Sequence, residues 1–244
     1  MRPLRTATLA LLLMPCLACA AEEKPEDPSA QVVIKGIRNP ELKTYRVMAA
    51  GLDAFDDRHA LAPAAEELRF RLRARGGRAS VDMDGLALRL AGEETSIPLP
   101  LAPDNSFVLP RNAQAARDNA ELILNKPKGG YSWQPEIRSA GVPDGMRRLG
   151  DLRLECVVLV AVAKKEIGLL LTAFINSLLL TTDWCGHEKI HMATTVVRRL
   201  HGATLIDGEE RVPVEVAEDG WSYRPPLQEK RYGDETLIEL QYEE

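Results

Sequence analysis

Apolar positions along the chain fall into three patterns, and each predicts a different element. In residues 39–55, Leu42, Tyr45, Ala49 and Leu52 recur at intervals of three and four, the signature of one apolar helix stripe. Asn39 followed by Pro40 supplies an N-cap and a proline at the first helical position, so a helix is expected from there to about Phe55. The second pattern has period two. In residues 67–85 a two-residue turn at Gly76-Gly77 sets Leu72 against Val81 and Phe70 against Met83 on one face. The same register sets Arg71 against Asp82 and Arg69 against Asp84 on the other. Further short strands are expected at 31–37, 86–90, 96–101 and 107–110, at 120–125 paired with 131–137, at 198–206 paired with 211–216, and at 236–242. A turn at Asp219-Gly220 places Val216 opposite Tyr223 and Glu215 opposite Arg224.

The third pattern is continuous apolarity. Residues 154–163 read as a buried strand, and residues 167–180 as a helix. In the second run only Thr172, Asn176 and Ser177 are polar, and Thr172 and Asn176 lie one helical turn apart, so Leu170, Leu171, Phe174, Leu178 and Leu179 are expected in the core. Lys164-Lys165-Glu166 separates the runs, and neither reaches the ~18 residues of a membrane-spanning helix. The expected fold is α+β and strand-rich, with short antiparallel strands and hairpins, an N-terminal helix (about 40–55) and one buried apolar helix (about 165–182). The Pro/Gly-rich stretch ending at Gly145 divides a helix-plus-hairpin region (31–145) from a region built on the strand-helix unit (146–244), although 31–244 also fits one domain.

The N-terminus changes how the cysteines are counted. Arg2 and Arg5, an apolar stretch from Thr6 to Leu17, and Ala18-Cys19-Ala20 have the layout of a secretory signal peptide over residues 1–20. The charged, proline-containing residues 21–30 are expected to be a disordered lead-in. The alternative for this region is a lipid anchor on Cys19. Cleavage removes Cys16 and Cys19 and leaves Cys156 and Cys185, which in an exported chain are expected to form one disulfide. Closing that loop contributes ~3.5 kcal/mol on the chain-entropy picture. Loss of Arg2 and Arg5 takes the formal net charge from −5 to about −7, which argues against nucleic acid or an anionic membrane as the main partner.

Candidate chemistry is sparse. There is no GxSxG, GxxxxGK[ST] or GxGxxG pattern. Arg69, Arg71, Arg73 and Arg75 share one strand face at about 6.6 Å spacing, either as an anion-binding ridge or as a solvated, cross-paired face; the second is the expectation. Trp133, Trp184 and Trp221 are assigned to packing rather than to a sugar-binding surface. His187-Glu188-Lys189-Ile190-His191 resembles the HExxH motif of the zinc metallopeptidases, the zincins. The resemblance implies His187 and His191 as zinc ligands and Glu188 as the general base, with His201, Glu209 or Glu210 as the third ligand. It requires a helix, because residues i and i+4 are roughly 6 Å apart on a helix and about 13 Å apart on a strand. Gly186 and the β-branched residues after it favour a strand, with surface histidines beside a disulfide.

The expected function is that of an exported periplasmic protein, a non-catalytic binding or envelope-assembly module without cofactor, partnered by an envelope protein or polymer. The alternative is a zinc-dependent hydrolase using His187, Glu188 and His191. A thiol assay on the exported protein, unfolded without reductant, should detect no free thiol, and elemental analysis should detect no stoichiometric zinc. About one zinc per chain is what the hydrolase alternative requires.

Overall fold

In chain order the elements are strand β1 (Pro40–Thr44), helix α1 (Tyr45–Asp57), β2 (Arg69–Ala74), β3 (Leu88–Ala91), β4 (Ser96–Leu99), β5 (Ser106–Val108) and the short α2 (Ala113–Arg117). It continues through β6 (Glu121–Pro127), β7 (Tyr131–Glu136), β8 (Met146–Arg148), α3 (Leu149–Ile167) and α4 (Leu169–Leu179). It closes with β9 (Thr194–Thr195), β10 (Leu200–Asp207), β11 (Glu210–Pro213), β12 (Glu215–Val216), β13 (Ser222–Arg224) and β14 (Leu237–Tyr242). The structure is a computed structural model and describes residues 38–75 and 82–243. The expected signal peptide, lead-in, strand 31–37 and Gly76-Gly77 turn lie outside the described residues.

The strands form four antiparallel sheets, in the orders β1-β6-β3-β4, β5-β2-β7, β11-β10-β14-β8 and β12-β13-β9. The strand-rich α+β class holds. Two hydrophobic cores result, and α3 belongs to both. Leu154, Val158 and Val162, four residues apart along one stripe of α3, enter the core formed with Met48 and Leu52 of α1, Phe70 and Leu72 of β2, and Leu122 and Leu124 of β6. Leu149, Leu152 and Cys156 enter the second core, with Leu205 of β10, Tyr223 of β13 and Ile238 of β14. In the first core the Phe107 ring meets Trp133 edge-on at 6.0 Å and Phe70 at 5.9 Å.

Several pairings differ from expectation. Residues 154–163 are helix, not strand: a helix buried on two sides shows no polar stripe, and its valines mimic a β run. Pro40–Thr44 is a strand paired with β6, and α1 starts only at Tyr45. Asn39 is left-handed, with φ 54°, and so does not have the extended conformation of an N-cap. β2 does not turn back on residues 82–85; it lies between β5 and β7, with Leu72 opposite Trp133 and Phe70 opposite Phe107. Alternation fixes which face a side chain takes but not which strand comes alongside, and β7 offers the same alternation with larger aromatics. β6 and β7 likewise belong to different sheets instead of pairing. The C-terminal registers match expectation, with Leu205 opposite Val212, Glu215 opposite Arg224 and Val216 opposite Tyr223.

The largest correction concerns the apolar helix, which is not buried. Leu169, Leu170 and Leu180 are 89, 90 and 91 % exposed, and no residue of α4 is buried. Gly168, at φ 82°, breaks the path out of α3, whose own two faces already fill the adjoining core space.

The first turn of α3 is fixed by a close approach. Gly150 donates its N–H to the Asp234 carbonyl at 2.9 Å, and a Cβ there would lie 2.2 Å from the Leu61 carbonyl oxygen. Gly150→Ala should therefore cost about 2–4 kcal/mol, read as a lower urea midpoint at unchanged slope. Gly233→Ala, with no neighbour within 4 Å of its Cβ, should stay within about 0.5 kcal/mol.

Candidate functional site

Helix α4 is mounted with its polar side inward. Thr172 donates its hydroxyl to the Lys164 carbonyl at 3.2 Å, and Asn176 accepts the Trp184 indole N–H at 2.8 Å. Lys164 lies 4.8 Å above the Trp184 ring and donates to the Thr182 carbonyl at 2.5 Å. Burial lowers the pKa of Lys164, and nearby Asp183 partly opposes that. The base is closed by the expected disulfide, Cys156–Cys185, with S–S 2.07 Å and Cα–Cα 6.0 Å. Successive helical residues are turned by about 100°. The exposed positions Leu169, Leu170, Leu171, Ala173, Phe174, Ser177 and Leu178 therefore cover roughly 200° of the circumference. All but Ser177 are apolar.

The zincin-like pentapeptide follows directly after the disulfide, in a turn and not on a helix. The Ile190 N–H donates to the His187 carbonyl at 2.9 Å, and the Lys189 N–H to His187 Nδ1 at 3.1 Å. His191 Nδ1 is 3.4 Å from Gln228 Nε2, and Glu188 is exposed. His201 sits on β10 with Nδ1 3.2 Å from the Tyr242 carbonyl, Glu209 is in the β10-β11 turn, and Glu210 reaches Arg231 at 3.8 Å. Among the described residues no three His, Cys, Asp or Glu side chains are grouped to hold an ion.

The arginines of β2 form the second candidate. Phe70 and Leu72 point into the core, so Arg69, Arg71 and Arg73 take the opposite face, as the period of two requires. β9 reaches that face at one point, where Thr195 donates its hydroxyl to Gln134 Oε1 at 2.7 Å. Arg71 pairs with Asp104 and, at 2.7 Å, with Glu136. The same carboxylate lies 3.8 Å from Arg73 and 3.7 Å from Arg138. Arg69 pairs with Glu67 at 2.6 Å and donates to the Ser106 hydroxyl at 3.0 Å, while Arg75 donates to the Tyr131 carbonyl. The face is thus cross-paired, but with Glu136, Asp104 and Glu67 in place of Asp82 and Asp84; Asp82 pairs with Lys126. Trp221 helps to line a cleft in front of Arg71 and Arg73, and alternation alone carried no signal that this indole faces them.

No protein-family model, curated protein or solved structure matches this chain. Its functional reading rests on the geometry of α4 and the arginine face.

Burial works against the Asp104 charge. The Ser106 hydroxyl at 2.7 Å, the Ser106 N–H at 3.0 Å and Arg71 outweigh it and hold the carboxyl below its ordinary range. A carboxyl depressed in the folded state contributes stability that is complete above the unfolded value of about 3.9 and is lost as pH falls through the native value. Asp104 is half-exposed, so screening keeps that contribution to about 1 kcal/mol or less. Denaturation of wild type and Asp104→Asn should differ by about that amount at pH 6, and the difference should shrink as pH falls below about 3.9.

Proposed function

We propose that this protein is an exported, non-catalytic envelope module that attaches to a lipid bilayer by seating α4 in its surface. The observation that carries the proposal is the roughly 200° apolar face of α4, about twice the ~100° stripe that a helix buries against one neighbour. A protein partner covers one side and meets a polar rim. The exposed surface of α4 carries one polar residue, Ser177, and no charge between Leu169 at one end and Leu180 at the other. A fluid hydrocarbon phase wraps such a surface without needing complementary shape.

Length sets the mode of attachment. Eleven residues at about 1.5 Å each make a helix of about 16 Å, against a ~30 Å hydrocarbon core. Among the described residues no helix is long and apolar enough to cross a membrane. The helix therefore lies within one leaflet, with Trp184, Lys164 and Lys165 at its base, the residue types that suit the headgroup boundary. At about 2 kcal/mol per fully exposed Leu or Phe, the large exposed side chains supply on the order of 9 kcal/mol gross. That is comparable to the ~4–15 kcal/mol cost of association, so attachment through α4 alone is reversible. A lipid on Cys19 would add the second signal that stable anchoring takes.

The purified exported protein should float with phosphatidylethanolamine–phosphatidylglycerol vesicles. The double variant Leu170→Asp, Phe174→Asp, at positions 90 and 59 % exposed, should keep its circular dichroism and partition more than about tenfold less. Equal flotation of the variant sinks the proposal. So does a concentration-dependent dimer that the same variant abolishes while vesicles bind nothing, because the occupant is then a second copy.

A further inference from the structure

A cleft of about 480 Å³ opens in front of β2, within the size range of small-molecule sites. One wall is charged. Arg71 and Arg73, two residues apart on the outer face of β2, stand there beside Asp104 and Asn105. The other wall is largely apolar, made by Val196, Val197 and Trp221, with Met83 at the side. One bond ties β9 to the arginine sheet and another braces the apolar wall internally. Thr195 is bonded to Gln134 at 2.7 Å, and the Val196 N–H to the Trp221 carbonyl at 3.1 Å.

The charges on the arginine wall do not balance. Arg71, Arg73 and Arg138 share two carboxylates, Glu136 and Asp104. Arg71 holds both acids closely. Arg73 has only Glu136, at 3.8 Å, and its side chain is 16 % exposed; the buried Nε atoms of both Arg71 and Arg73 find no hydrogen-bond partner among the described residues. Arg147, buried behind them, is matched by Glu155 at 2.7 Å and lends no acid to the cleft. On this wall the surplus is one positive charge, nearest Arg73, and Asp219, which also lines the cleft, offsets it over the lining as a whole. The Asp219 Oδ1 accepts the Trp221 N–H at 3.0 Å, so a ligand with several negative charges would meet a carboxylate opposite.

We propose that this cleft binds a small monocarboxylate with an apolar body, its carboxylate on Arg73 and its body between Val196, Val197 and Trp221. A planar guanidinium takes a carboxylate through two parallel N–H bonds, and the donors the ligand meets are the Arg73 Nη groups, whose one carboxylate neighbour lies at 3.8 Å. The indole and the two valines bury the hydrocarbon portion. This site is independent of α4 and of the bilayer reading.

Calorimetric titration of the exported protein with octanoate and with 4-phenylbutyrate tests the proposal, with octanamide as the uncharged control and inorganic phosphate as the anion without an apolar body. At least one carboxylate should bind saturably at one site per chain, with octanamide and phosphate at least about tenfold weaker. Arg73→Gln should weaken the carboxylate by at least about tenfold and leave octanamide unchanged. Val197→Trp, at a position 59 % exposed, should block the cleft without touching the core and abolish the same binding. This second variant decides the matter if Arg73→Gln fails to fold. Failure of both carboxylates to bind, equal binding of octanoate and octanamide, binding of phosphate as tight as that of the carboxylates, or binding unaffected by Val197→Trp each overturns the proposal. The variant Leu170→Asp, Phe174→Asp should bind the carboxylate as wild type does; loss there would place the bound molecule on α4 and overturn the assignment to the cleft.

Discussion

A helix buried on both faces has no solvent side for its charges, and α3 carries Asp151 and Glu155 within its buried length. An unpartnered carboxylate at such a place costs several kcal/mol. The fold meets that cost with the chain that follows β7. Glu155 accepts the Ile137 N–H at 2.7 Å, and Asp151 accepts the Ser139 N–H at 2.9 Å and its hydroxyl at 2.6 Å. The spacing explains the match. Carboxylates one helical turn apart are separated by about 6 Å along the axis, and N–H groups two residues apart on an extended chain by about 6.6 Å. Arg147 and Arg148, at the entry to α3, complete both ends, with Arg147 2.7 Å from Glu155 and Arg148 3.3 Å from Asp151. Burial opposes the charge of Arg147, but Glu155 and neighbouring groups raise its pKa above the ordinary guanidinium value. Burial also pushes the nearby Tyr223 phenol up to about 12, so it stays neutral at physiological pH. Sheet β5-β2-β7 is thereby locked to α3, and through α3 to the second core.

Once α3 fills both cores, the next apolar segment has nowhere to go. α4 follows after a single glycine, and the disulfide returns the chain to Cys156, midway along α3, so α4 is held beside the body instead of inside it. Its orientation is the inverse of a core helix. Thr172 and Asn176 make the attachments, and the leucines face outward. An exposed apolar face of this size is a liability in water unless something covers it. The disulfide holds the helix base in place while the outer face stays available.

The sequence makes some of this legible and hides the rest for identifiable reasons. The C-terminal registers were readable because their turns are short and each strand has one polar side, so a shift by one residue would invert Val212 or Tyr223. The disulfide was readable from cysteine arithmetic. The partner of β2 was not, because Met83 and Trp133 satisfy the same alternation and only the three-dimensional path selects one. The burial of 154–163 was readable, but not its helicity, since valine's strand preference is outweighed by packing on two sides. For α4 the composition is the same under both outcomes: a leucine-rich helix reads the same whether it is buried in a core or left exposed. The one discriminating signal was Thr172 and Asn176, one turn apart, which mark an attachment side as readily as a solvent side.

The arginine face shows how the same economy shapes the second site. A β-sheet whose one face feeds a core must present its other face to water or to another layer. Here β9, only two residues long, reaches it in part and leaves Arg71 and Arg73 facing a gap and not a packed surface. Replacing these arginines by apolar residues would let the layers close, since buried ion pairs exchanged for hydrophobic ones are commonly neutral or stabilising. What the arginines leave at the seam is an open, polar-walled space. The segment 186–194, which carries the pentapeptide, runs from the disulfide to Thr195 at the wall of that space. Its histidines thus stand on the connection between the base of α4 and the cleft, in a turn shaped by its own backbone bonds, where a bridge between two fixed points is what the chain requires.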